Sequence, residues 1–256
     1  MAEDIKIFPN LKSLSEAVAD EWCEGVNRAL REKVTFCVAL SGGNTALAVY
    51  QNLVDLQLDK RISWSIVHIF WGDERCVPPD HPESNYRLAR DSMLISLPLP
   101  WENIHRIHGE SDPKIEANRY ADELAKHLEP DEEGMPCLDW ILVGVGKDGH
   151  IASIFPKSIH QEKTGKLCVV SVHPETGQNR ISLTLLMINK AKRISVIVTG
   201  KEKAGIVSKI LSQSSEARYL PAAQIHPENG RVQWMLDMEA ASELNCRVSK
   251  KETSEN

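Results

Sequence analysis

Apolar positions along the chain follow two alternating patterns. In the first they recur every three or four residues. Val18, Trp22, Val26 and Ala29 share one helical face in a stretch opening at Ser13, where Ser13 and Glu16 spell a capping box for the helix start. Ala46, Val49, Tyr50 and Leu53 repeat the spacing, as do Ala117, Tyr120, Ala121 and Leu124 behind Pro113, and as does "KEKAGIVSKILSQ" from Lys201. In the second pattern the run is unbroken: "VTFCVAL" (34–40), "WSIVHIFW" (64–71), "DWILVGV" (139–145), "KLCVVSV" (166–172) and "RISVIVTG" (193–200). Unbroken apolar strands alternating with helices predict an α/β fold, a mainly parallel sheet with helices on both faces. There is no internal repeat and no low-complexity tract. "LEPDEEGMP" (128–136) is a polar turn and not a linker. One domain is therefore expected over residues 1–246, with a disordered tail at 247–256.

In such a sheet ligands bind beyond the carboxyl ends of the strands. Four strand ends carry unusual chemistry. After "VTFCVA" comes "LSGGNTA". Gly42 and Gly43 allow a tight turn with outward N–H groups, the following helix start is partly positive, and Ser41, Asn44 and Thr45 add side-chain hydrogen bonds. This combination suits a phosphate, although Walker's Gly-Lys-Ser/Thr is missing and a plain strand-to-helix turn has the same letters. "ALSGG" is also one residue short of Gly-x-Ser-x-Gly, which leaves Ser41 open as a nucleophile. After "WSIVHIFW" come Asp73, Glu74 and Arg75, three charges at one strand end. After "DWILV" comes Gly144-x-Gly146-x-x-Gly149, the letter pattern of a dinucleotide loop, but no acid stands at the tip of the next strand and His150 follows the third glycine. The better reading is that the glycines serve Asp148 and His150, which face the site. After "RISVIV" comes "TGKEKA", where Lys203 can supply a point charge to a phosphate; Arg180 in "QNRISLTL" is a further cation.

Composition narrows the function classes. The 256 residues carry a net charge of −6 and no basic stripe, so nucleic acid is not an expected partner, and an anionic substrate would need a local cluster of cations. No apolar run approaches the roughly 18 residues of a membrane span. "MAEDIKIFPN" has neither a basic start nor a long apolar stretch, so no secretory signal is expected. The six cysteines are scattered singly, without Cys-x-x-Cys. That signals neither a zinc site nor a redox pair, and fits reduced thiols in a cytoplasmic protein.

The blocks "LSGGNTA", "GDERCVPPDHPESNY", "GVGKDGHIASIFP", "NRISLTL", "VTGKEKA" and "LPAAQIHPENGRVQWMLDMEAA" occur in the order seen in the 6-phosphogluconolactonases, and the chain resembles that family from about residue 5 to about residue 245. The resemblance implies a Rossmann-like sheet without a nucleotide, no metal, no cofactor, and hydrolysis of a phosphosugar lactone. It departs from the family's usual glycine loop at Asn44 and Ala46, and Ile151 stands where a threonine usually follows the histidine. The related glucosamine-6-phosphate deaminases are similar in the glycine loop and in Asp-Gly-His. They typically have Asp-Glu-Tyr where this chain has Asp73-Glu74-Arg75, and a glutamate where it has Phe155.

Taken with the resemblance, these residues suggest roles. His150 is the expected general base, oriented by Asp148 or Asp73. Arg75, or nearby backbone N–H groups, would face the oxyanion. Ser41, Gly42, Gly43, Asn44 and Thr45 would hold the phosphate with Lys203 and Arg180. Two other readings stay open: a serine hydrolase built on Ser41 and His150, and a non-catalytic phosphosugar sensor. Monomer or homo-oligomer is undetermined.

Overall fold

The computed structural model describes residues 4–156, 165–212 and 215–244; the expected tail at 247–256 lies outside them. Its centre is a six-stranded sheet formed by β1 (Asp4–Phe8), β2 (Phe36–Leu40), β3 (Val67–Trp71), β5 (Trp140–Val143), β8 (Arg193–Val198) and β9 (Arg231–Asp237), in the order β1-β9-β8-β5-β2-β3. Every pairing in it is parallel. A second, antiparallel sheet of β4 (Asp73–Arg75), β7 (Asn179–Leu183) and β6 (Cys168–Val172) leans against the carboxyl edge of the first. The "KLCVVSV" run was expected in the parallel sheet and belongs to this smaller one. Cys168 and Ser171 of it are buried, while Val169 and Val170 are only partly covered and Val172 is exposed.

The helices cover the sheet as their spacing predicts. Val18, Trp22, Val26 and Ala29 of α1 (Leu11–Glu32) are buried, as are Ala46, Val49, Tyr50 and Leu53 of α2 (Asn44–Asp55). α3 (Asn85–Ser92) follows β4, α4 (Pro113–His127) precedes β5, α5 (Leu185–Asn189) precedes β8, and α6 (Ala204–Leu211) precedes β9. The α1 start differs from the expected capping box. Asn10, in extended backbone, is the N-cap, and its Oδ1 accepts from Ser13 N at 3.0 Å. Ser13 is therefore already inside the first turn, where its amide donates instead of its hydroxyl capping. α4 starts as its sequence suggests, with Asp112 Oδ1 accepting from Lys114 N and Ile115 N ahead of Pro113.

Tryptophans fill the space between α1 and the sheet. Trp22 meets Trp140 edge-on at 5.7 Å and Trp64 at 5.9 Å, and Trp140 Nε1 donates to Ser195 Oγ at 2.9 Å. β3 is an edge strand, and its last residue is satisfied by a side chain. The Tyr120 hydroxyl of α4 accepts from Trp71 N at 2.8 Å and donates to Trp71 O at 3.0 Å, all of it buried. Tyr120→Phe strands both backbone groups, so it is expected to destabilise the fold by about 1–3 kcal/mol in denaturant unfolding.

Candidate active site

The carboxyl ends of β2, β3, β5 and β8 open on one cleft of about 660 Å³. Its lining includes Ser41, Gly42, Gly43, Asn44 and Thr45 from the β2–α2 turn, Asp73 and Arg75 from β4, Arg180 from β7, His150 from the loop after β5, and Lys203 from the turn before α6. Sequences far apart meet here because parallel strands end together. Asp148 stands just behind His150, outside the lining.

The β2–α2 turn leaves its amides free for a ligand. Gly43 is the N-cap of α2 at φ +93°, a conformation that side-chain-bearing residues rarely adopt, and no side chain caps the first turn. Tyr50 fixes the start of the turn, since its hydroxyl accepts from Ser41 N at 3.1 Å and donates to Ser41 O at 2.7 Å. Thr45 Oγ1 meets Thr199 Oγ1 at 2.8 Å, which ties the turn to the end of β8.

The loop after β5 answers what its glycines do. His150 Nδ1 lies 2.6 Å from Asp148 Oδ1, and the same oxygen accepts from His150 N at 3.2 Å. A Cβ on Gly146 would overlap His150 Nδ1 and lie 2.7 Å from Asp148 Oδ1. The glycine is there to let a histidine–aspartate pair close over the backbone. Burial pushes the Asp148 carboxyl up, but the hydrogen bond from His150 and its charge outweigh this and hold it below the usual aspartate range. An ionised Asp148 only accepts, so Nδ1 carries a proton and, in the neutral ring, the lone pair falls on Nε2. Phe155 packs on the other side, its ring 5.0 Å from that of His150. Beyond His150 the chain turns sharply, with Ile151 and Ile154 bridged and Ala152 between them at φ +47° on the cleft wall.

Asp73, the other candidate partner of His150, is engaged elsewhere. Its Oδ2 accepts from Ser153 Oγ at 2.6 Å and its Oδ1 from Asn85 Nδ2 at 3.1 Å. Ser153 N in turn donates to Ser182 Oγ of β7, and Ser171 Oγ of β6 donates to Ser153 O. Asp73 thus anchors the loop that carries His150 without touching the ring. Along β4 side chains alternate, so Asp73 and Arg75 face the cleft while Glu74 points away. There Glu74 accepts from the amides of Arg75, Asn85 and Tyr86 and from Ser84 Oγ. Burial raises its pKa, and those four donors pull it back.

Arg75 and Arg180 lie opposite one another in the β4–β7 register, and each has a buried Nε with no partner. Burial, and then the charge of Arg75, lower the pKa of Arg180. Burial lowers that of Lys203 too, whose Nζ donates to Val145 O at 2.8 Å. Cations held at such a cost in free energy suit an anionic ligand. Ser41 has no described hydrogen bond to His150, so the geometry joins the nucleophile elbow to no base. Asn85, Lys147, Thr199 and Gly200 also line the cleft and were not singled out from the sequence, although all four sit within the blocks that carried the resemblance.

Fold and cleft define an α/β protein with a cation-lined pocket at the carboxyl edge of a parallel sheet and a histidine–aspartate pair on its wall. The chain belongs to the glucosamine-6-phosphate isomerase/6-phosphogluconolactonase family, whose model matches residues 9–234. The 6-phosphogluconolactonase of Haemophilus influenzae is 40% identical over 233 residues, 91% of this chain and 96% of that one. The crystal structure of devB protein superposes with a TM-score of 0.88 at 40% identity, covering 94% of this chain and 99% of the other. The 6-phosphogluconolactonase of Trypanosoma brucei follows at 0.80 and 29%, covering 95% and 99%. A monomeric glucosamine-6-phosphate deaminase, 21% identical with a TM-score of 0.77, shares the fold.

Gly146→Ala must displace the His150 ring from Asp148. It is expected to lower kcat for the reaction of this site about hundredfold with unchanged circular dichroism, since misplacement of about 1 Å is worth that much.

Proposed function

We propose that this chain hydrolyses 6-phospho-D-glucono-1,5-lactone to 6-phosphogluconate in the oxidative pentose phosphate pathway, without a cofactor. The observation that carries the reading is the 2.6 Å His150–Asp148 pair on the wall of a cleft that also holds an uncapped helix start and four cations, Arg75, Lys147, Arg180 and Lys203. The relatives that match over nearly their whole length are 6-phosphogluconolactonases. No helix among the described residues is long and apolar enough to cross a membrane.

A δ-lactone is an activated ester, so the enzyme has to aim a water at the carbonyl and receive the negative charge that forms. His150 Nε2 takes a proton from that water as its oxygen bonds to the carbonyl carbon. Asp148 holds the ring through Nδ1–H and stabilises the imidazolium, and Asp73 steadies the loop through Ser153. Arg75 faces the oxyanion. When the tetrahedral centre collapses, the ring oxygen leaves and takes the proton back from His150, which frees the acid and its new hydroxyl group. The phosphate sits against Ser41–Thr45, Lys203 and Arg180, and its binding energy fixes the distant carbonyl in place. Phe155 walls the ring of His150 with an apolar face where the deaminases place a glutamate, which favours ester hydrolysis over ring opening.

Fresh lactone supplied by the preceding dehydrogenase, with acid release followed, tests the scheme. His150→Ala is expected to lower kcat by at least about a hundredfold and leave KM nearly intact; unchanged turnover would remove His150 as the base. Asp148→Asn adds a second check: it takes away the carboxylate that holds the ring through Nδ1–H, so kcat is expected to drop with KM nearly intact.

A further inference from the structure

Far along β3 from the cleft, at the open edge of the main sheet, three histidines that the reaction does not use converge. His68 lies on β3. His105 lies on the segment that runs beside it, where His105 N donates to Ile69 O at 2.8 Å and Ile104 bridges Ile69. His127 ends α4, one turn after Glu123. His68 Nδ1 is 2.9 Å from His105 Nε2, His105 Nδ1 is 2.7 Å from Glu123 Oε1, and His127 Nε2 is 3.3 Å from the same oxygen. One nitrogen from each ring lies within 4.8 Å of the other two. None of the four residues lines the cleft.

Burial, then the neighbouring rings, drive His68 down to about 4; burial also lowers His105, against the pull of Glu123. Burial favours the neutral form of both rings, the form in which imidazole binds a metal. Their contacts settle which atoms are available. His105 Nδ1–H donates to Glu123 Oε1, so Nε2 carries the lone pair; His68 Nδ1–H donates to it, and His68 would shift to its Nε2–H tautomer as an ion binds. In a tetrahedral site with Zn–N of about 2.0–2.1 Å, ligand nitrogens lie about 3.3 Å apart, a spacing between the 2.9 Å of the His68–His105 pair and the 4.8 Å that bounds all three. A carboxylate behind a ligating histidine is the usual way to fix its tautomer.

We propose that His68, His105 and His127 form a binding site for one divalent transition-metal ion of the zinc type, with Glu123 positioning His105. The ion would cross-link β3, the segment at 104–105 and the last turn of α4. It would thus be structural, fastening α4 to the sheet edge and leaving the chemistry of the cleft to His150.

The test is titration of the full chain, stripped with a chelator, with zinc chloride near pH 7.5 in a calorimeter, together with melting temperature and the visible spectrum with cobalt. One equivalent of zinc is expected to bind and raise Tm by a few degrees. Cobalt is expected to give d–d bands without a thiolate charge-transfer band. His68→Gln and His127→Gln, both at half-exposed positions, should each weaken binding at least tenfold with turnover and circular dichroism unchanged, and Glu123→Gln tenfold to a hundredfold. The proposal is overturned if the wild-type chain takes up no stoichiometric zinc, if uptake survives both histidine substitutions, or if cobalt shows thiolate ligation, since the ion would then sit on cysteines or in the cleft.

Discussion

A parallel sheet has one carboxyl edge, and that constraint organises everything else. β2, β3, β5 and β8 all finish there, so residues separated by more than 150 positions in the chain share one pocket. The edge also sets the electrostatics. Helix α2 begins at it with unfilled amides, and half-buried Arg180 and Lys203 crowd the same space in a protein whose net charge is −6. A bound dianion would relieve both strains at once, which is why positive charge is concentrated here and nowhere needs to dominate the surface.

The small antiparallel sheet supplies what the large one lacks. Strand ends alone would leave the cleft open on one side. β4 and β7 close it with Arg75 and Arg180 in register, and the serines at 153, 171 and 182 stitch the loop after β5 onto β6 and β7. Asp73 is the knot in that stitching. It explains how a half-buried imidazole keeps a defined aim, because the loop is pinned at Ser153 as well as by the Asp148 contact.

Much of this was legible in the sequence because it is local. Unbroken apolar runs marked β2, β3, β5 and β8, and the i, i+3, i+4 stripes marked α1, α2 and α4. The glycines around Asp148 and His150 were readable as servants of the pair because no ribose-binding acid followed the next strand. β1 mixes polar and apolar residues and is largely exposed, and β4 and β7 carry charged and polar residues, whose pattern resembles a loop. The choice between Asp148 and Asp73 was not legible, since it depends on Ser153 and Asn85 reaching Asp73 across the fold. The three-histidine cluster was invisible for the same reason: its members lie on three separate elements with no ligand spacing between them.

One pairing has a consequence for how the chain is made. β1 lies parallel to β9, and Asp4 is joined to Gln233 at a separation of 229 residues. On the ribosome β1 is therefore made long before the neighbour it pairs with. Ile5 and Ile7 remain without their partners until β9 has been made. Closing so long a loop is entropically slow, so this edge is expected to seat after the strands that lie closer in sequence.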